Sequence, residues 1–301
     1  MFIDIHVHAR TFDFPERNVT GGGRYATPEQ IIAKLKPRGV RAACVFARVN
    51  PEVGWFLQSV EETLMMAQQY PEFVIPFMNI DPRQCLNDPD ADLGYLMKHY
   101  MQRGCRGIGE VCCNLPWDDP RVENLLKHAQ ACGLPLTFHI APKRFGYYGL
   151  VDDLGLPGLE GALRKFPDLK FMAHSQPFWA EISGDLTEQI RNTYPKTPVA
   201  EGGAVVRLMR ECPNLLGDLS AGSGLNAISR DPQFGYAFMT EFQDRLFFGT
   251  DFADVRNETP IIDFMNDALA QGHISPEVYD KIGYRNAEKL LNLKPGEYGT
   301  Q

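Results

Sequence analysis

Eight short apolar runs, most of them separated by stretches with helical spacing, constrain this chain more than any other feature. They fall at 2–8, 42–47, 73–80, 107–111, 134–139, 169–174, 215–220 and 245–251. Each reads as a buried parallel strand, although Pro76 sits inside the third and cannot donate to a ladder. Helical patterns alternate with the runs. Thr27, Pro28 and Gln30 form a capping box with proline at the first helical position, and Ile31, Ile32 and Leu35 supply an apolar stripe before Pro37 and Gly39 end it. Further helices are expected at 61–70, 93–102, 121–132, 159–166 and 201–211, and a closing one runs from the Ser275-Pro276-Glu277 cap to Leu291. Strands alternating with helices in this way predict an α/β fold, a (β/α)8 TIM barrel, with a single domain over residues 1–301. Two connections, 9–26 and 175–200, are longer than such turns need, and the first, around Gly21-Gly22-Gly23, is expected to line a site.

A parallel barrel delivers the C-terminal ends of its strands to one rim, so the polar residues at those ends should meet although they are remote in sequence. They are His6 and His8 on strand 1, Glu110 on strand 4, His139 on strand 5, His174 on strand 6 and Asp251 on strand 8. His6-Val7-His8 places two imidazoles on one face, about 6.6 Å apart along the strand, close enough to share one ion. Taken singly, each of the six has an ordinary explanation as a satisfied strand end, a solvated acid or a cap. Together they offer four imidazoles and two carboxylates, a donor set suited to zinc, manganese or iron rather than calcium or magnesium.

Composition narrows the function classes. A net charge of -8 argues against a general nucleic-acid surface. No apolar run approaches the roughly 20 residues of a membrane span, and the start of the chain carries neither a basic leader nor a small-residue cleavage pattern. The seven cysteines are an odd set without a Cys-x-x-Cys pair, which suits reduced thiols in a cytoplasmic protein.

His6-Val7-His8, His139, Ala173-His174-Ser175, Phe248-Gly249-Thr250-Asp251 and the ending Arg285-Asn286-Ala287-Glu288-Lys289-Leu290-Leu291 together resemble the amidohydrolase superfamily, and specifically the amidohydrolase-related branch that also holds metal-dependent decarboxylases and lactonases. The similarity spans essentially the whole chain. Gly109-Glu110-Val111 resembles the strand 4 glutamate of TatD-like hydrolases and sets aside the relatives with a carboxylated lysine there. The resemblance implies that His6, His8 and Asp251 bind a first metal, that Glu110 bridges, and that His139 and His174 bind a second. In a one-metal version His6, His8, His139 and Asp251 are the ligands, and His174 orients the water or the substrate.

The implied activity is hydrolysis of an amide, ester or lactone of a small molecule by metal-bound hydroxide, with one or two zinc ions, or manganese or iron, as cofactor. Asp251 is the expected base and His174 its catalytic companion. Nonoxidative decarboxylation of a small unsaturated or aromatic acid is the alternative, and a non-catalytic binding barrel is a third reading that the complete ligand set disfavours. The expected partner is a small molecule, and a cationic mouth of Arg10, Arg48, Lys143, Arg144 and Arg256 would suit a carboxylate. Trp117 and Trp179, with Phe145, Tyr147, Tyr148 and Phe178, are candidates to stack on it, and Gln176 and Ser220 to bond it. Solvated loop charge and loop packing are the plainer readings of these residues. Cys112 reads as a packed thiol, and His99, His128 and His273 as surface histidines. A homo-oligomer is left open, with neither nucleic acid nor membrane expected as partner.

Overall fold

The apolar runs close into a ring. In the computed structural model, which describes residues 1–12, 25–53, 57–294 and 297–299, the strands are β1 (Phe2–Val7), β2 (Val40–Phe46), β3 (Val74–Phe77), β4 (Ile108–Val111), β5 (Leu136–Ala141), β6 (Leu150–Val151), β7 (Phe171–His174), β8 (Leu215–Asp218) and β9 (Leu246–Phe247). Most of the Gly-rich first loop lies outside the described residues. Parallel pairing runs β1-β2-β3 and β4-β5-β7-β8-β9. Two parallel bridges, Met78 with Ile108 and Val7 with Phe252, join the arcs, and Ile5 N–H to the Phe248 carbonyl (3.0 Å) reinforces the second seam. The result is a (β/α)8 barrel.

Departures from the expected strands have local causes. Pro76 lies within β3, in register with Val45 of β2. Its carbonyl accepts from Arg106 on the β4 side, so the missing N–H falls at the loosely paired seam, where a proline costs little. Pro135 delays the start of β5 to Leu136, and the strand runs on to Ala141, two residues past His139, because β6 supplies a partner for Ile140 and Ala141. The eighth run keeps regular pairing only at Leu246–Phe247, since the Phe248 N–H leaves the sheet for the Ile282 carbonyl at 2.9 Å.

The first helix (Pro28–Leu35) starts as its capping box requires: Thr27 N–H donates to Gln30 Oε1 at 2.9 Å, and Gln30 N–H to Thr27 Oγ1 at 3.5 Å. Three helices not anticipated from the sequence fill the arc around the last two barrel strands: Ala221–Ser229, Pro232–Glu241 and Pro260–Ala270. The first of these carries Gly222 and Gly224, which weaken its helical signal, although Asp231-Pro232 is a legible cap for the second. The main core lies between strands and helices, with Val45, Val74, Ile108, Leu136 and Leu215 against Leu35, Met97, Leu125, Leu163 and Leu208. A second apolar cluster, drawn mostly from strands, includes Ile3, Cys44, Ile75, Phe77, Met172, Leu216 and Phe247 and meets Ala287 and Leu291 of the closing segment.

Candidate metal centre

The strand ends carry their polar side chains to one place. His6 in β1 and His8 just beyond it bring their Nε2 atoms within 3.1 Å of each other. Asp251 Oδ1 stands 3.6 Å from His6 Nε2 and 3.4 Å from His8 Nε2. Its left-handed φ, tolerated by aspartate better than by most side chains, is held by a buried strut. Asp4 accepts from the His6 N–H (3.1 Å), the Thr250 N–H (2.9 Å) and the Thr250 hydroxyl (2.6 Å). On β4, Glu110 Oε2 lies 3.9 Å from His6 Nε2 and 3.8 Å from His8 Nε2, while Oε1 lies 4.0 Å from His174 Nε2. Asn79 fixes that segment by donating to the Glu110 carbonyl at 2.7 Å. His139 stands further out, its ring 5.9 Å from that of His174 and 4.4 Å from Tyr148.

Glu110 reaches its position because the preceding residue has no side chain. A Cβ on Gly109 would lie 2.8 Å from Thr137 Cβ on the neighbouring strand. Gly109→Ala is therefore expected to displace Glu110, costing roughly 1–3 kcal/mol of stability. Thermal unfolding together with bound-metal analysis checks this, and an unchanged melting temperature would contradict it.

The geometry suits a small cation. Four donors at about 2.0–2.1 Å around a tetrahedral zinc ion lie about 3.3–3.4 Å apart. The His6 and His8 Nε2 atoms are 3.1 Å apart, and each lies 3.4–3.9 Å from Asp251 Oδ1 and Glu110 Oε2. Glu110 Oε1 and His139 Nδ1 are moreover buried without a hydrogen-bond partner. His6, His8 and Glu110 form one cluster of ligand atoms, and His6, His174 and Asp218 a second.

Electrostatics prepares most of these groups for coordination, which needs ionised carboxylates and neutral imidazoles. Burial pushes His8 down, with Asp251 only partly offsetting it, and takes His139 to about 4 against the pull of Glu110. Burial would raise Glu110, but His6, His139, His174 and His8 outweigh it and its carboxyl is lowered. Asp251 is likewise held down, to about 2, its bond to His8 and the charge of His6 overcoming burial. His6 is the exception. Burial opposes its charge, yet Asp218, Asp251 and Glu110 raise it to about 10.

The centre opens into a small cavity of about 100 Å³, whose wall includes Tyr25, Arg48, Cys112 and Tyr148 beside His8, Glu110, His139, His174 and Asp251, with His6 buried behind them. Arg48 is buried, with its guanidinium 3.6 Å over the Tyr25 ring. Lys143 and Arg144 sit on the exposed connection after β5, beside the rings of Tyr147 and Phe145, and do not line the cavity. Gln176 begins the helix Gln176–Ala180 and also stands outside its lining. The two tryptophans correct the expectation of rim contacts. Trp179 is 1% exposed and donates its indole N–H to the Asp218 carbonyl at 2.9 Å. Trp117 is buried edge-on to Phe138 and walls a separate cavity of about 500 Å³ that contains none of the six strand-end residues. Asp218 itself, at the end of β8 and in contact with His6, was not anticipated, nor were the buried Asp4, Asn50 and Asn79.

Residues 3–293 match the amidohydrolase family. The chain belongs to that family. Its barrel is similar to that of a zinc-bound amidohydrolase from Burkholderia multivorans, at 14% identity and a TM-score of 0.61, covering 98% of this chain and 100% of that one. It is also similar to a probable 2-pyrone-4,6-dicarboxylic acid hydrolase from Acinetobacter baumannii with citric acid bound (14% identity, TM-score 0.58, 97% and 99% covered). A 2,6-dihydroxybenzoate decarboxylase in complex with 2,6-dihydroxybenzoate resembles this chain to the same degree (16% identity, TM-score 0.58, 97% and 99% covered). None of the curated proteins matches it. Among the described residues no helix is long and apolar enough to cross a membrane.

Proposed function

We propose that this protein cleaves an amide, ester or lactone of a small molecule, using a divalent metal held by His6, His8, Asp251 and Glu110, with His139 and His174 completing the site. The observation that carries this reading is the position of the His6 and His8 Nε2 atoms, 3.1 Å apart and each 3.4–3.9 Å from an oxygen of Asp251 and of Glu110, with the otherwise unpartnered Glu110 Oε1 on the side of His174. Zinc is our first choice, and manganese or iron suits the same donors. Such an ion supplies Lewis-acid polarisation of the scissile carbonyl and acidifies a water. Asp251, ionised and on the cavity wall, takes the proton from the attacking water and returns it to the leaving group. His174, held through Nδ1 by the Ser220 hydroxyl at 2.9 Å, orients the reacting groups. Arg48 gives the cavity a cationic wall for a substrate carboxylate.

Treatment with a strong chelator is expected to abolish turnover, and zinc or manganese to restore it. The decisive screen presents amides, esters and lactones to metal-loaded protein and follows acid release and carbon dioxide together. Protein carrying stoichiometric metal that hydrolyses none of them would sink the proposal. One observation favours decarboxylation as a second reading: a buried arginine in a cavity of only about 100 Å³ suits a compact acid gripped at its carboxylate. Carbon dioxide release without consumption of water would decide for it.

A further inference from the structure

Asp218 is fully buried, lies on none of the strands that carry the proposed ligands, and faces two of their imidazoles from behind. Its Oδ2 is 2.6 Å from His6 Nδ1 and 3.4 Å from His174 Nδ1. Oδ1 accepts the Ser220 N–H at 2.9 Å, and the backbone carbonyl accepts the Trp179 indole N–H at 2.9 Å. The carboxylate has little freedom to move. Gly249 leaves it room, since a Cβ there would stand 2.8 Å from Oδ1.

An imidazole can present only one nitrogen to a metal, and the hydrogen bond made by the other selects which. A carboxylate at Nδ1 keeps the proton there and leaves Nε2 as the donor atom. We propose that Asp218 is the positioning residue of this centre: its one carboxylate holds His6 with Nε2 toward His8, Asp251 and Glu110, and anchors through the Ser220 N–H the hydroxyl that bonds His174 Nδ1 and turns its Nε2 toward Glu110. This rests on the metal reading above and extends it to a strand that contributes no ligand. The carboxylate is required rather than any polar group, because both oxygens are engaged. In Asp218→Asn a single oxygen must serve either the Ser220 N–H or His6 Nδ1, and Ser220 belongs to the immediately following turn. The amide NH2 then faces His6 Nδ1, which becomes an acceptor and moves the proton to Nε2, the atom needed for the metal.

The test uses the full chain. Asp218→Asn, nearly isosteric, leaves His6 buried without its carboxylate and should lower the urea midpoint of the metal-free protein, so zinc affinity is read on the folded variant, where competition with a chromophoric chelator should show it weakened about 10- to 100-fold, the usual effect of losing such a partner. In zinc-loaded parent protein, long-range 1H–15N NMR should find the His6 proton on Nδ1. A folded variant whose zinc affinity stays within twofold of the parent's would overturn this inference alone. So would a zinc-loaded parent with the His6 proton on Nε2, a measurement that stands even if the variant does not fold. A parent protein that takes up no zinc would overturn the metal reading itself, and the role of Asp218 with it.

Discussion

Asp251→Asn is expected to lower turnover about 10³-fold on whichever substrate the hydrolytic screen identifies, while the barrel stays folded. A general acid or base contributes typically about 10²–10⁴-fold, and asparagine keeps the size and one oxygen of aspartate while losing the ability to take a proton. His6, His8 and Glu110 remain within 3.1–3.9 Å of one another in the variant's starting geometry, so the ion should be retained, more weakly bound. That separates two roles of one side chain. If turnover and metal content fall together, and saturating metal restores both, Asp251 acts as a ligand only. If metal is present and turnover is still lost, the proton transfer assigned to it stands. A metal-loaded variant within tenfold of the parent would remove Asp251 from the chemistry altogether. The fold should tolerate the change because the φ of 54° at this position suits asparagine as well as aspartate.

The same residues show what the sequence could and could not disclose. His6, His8, Glu110 and His174 were legible because strand period and strand end are both written in hydrophobic pattern, and each lies at or near the point where an apolar run stops. Asp218 obeys the same rule but was hidden, since the seventh run reads on through Leu219 to Ser220, which took the place of the polar strand end. Trp179 misled for the opposite reason. A tryptophan after a strand end reads as a rim aromatic, and only the fold reveals that its N–H meets the Asp218 carbonyl inside the protein. Asp4 could not be separated from an ordinary strand residue, because its partner Thr250 is 246 positions away. Barrel class survives such errors, as it depends on the alternation of elements. Side-chain roles do not, as they depend on which distant residues the closure of the ring brings together.

Arg191→Met is expected to be the most destabilising single change considered, at roughly 3–5 kcal/mol by urea denaturation, the range for breaking one side of a buried ion pair. Arg191 is 0% exposed, with Nε 2.7 Å from Glu181 Oε1. Its other nitrogens donate to the carbonyls of Asp152 (2.6 Å) and Asp153 (2.9 Å). Glu181 Oε2 in turn accepts the Gly155 N–H at 2.7 Å, and the Asp152 carboxylate caps the helix Pro157–Lys165 through the N–H groups of Gly158 and Leu159, each at 2.8 Å. One guanidinium thus ties the segment after β6 to the segment after β7. Burial already raises the Glu181 carboxyl to about 7, with Arg191 pulling it down, so loss of the arginine raises it further. A carboxyl whose folded-state pKa lies above its unfolded value binds its proton more tightly when folded, so the stability it contributes falls as pH rises between the two. The deficit of Arg191→Met should therefore be smaller at pH 5, where Glu181 is protonated, and larger at pH 8. Replacing the pair together, as Arg191→Met with Glu181→Leu, should recover much of the loss and flatten that pH dependence, because no charge is then left buried alone. A single variant that loses less than about 1 kcal/mol, or whose deficit is the same at both pH values, would show that Glu181 does not depend on this arginine.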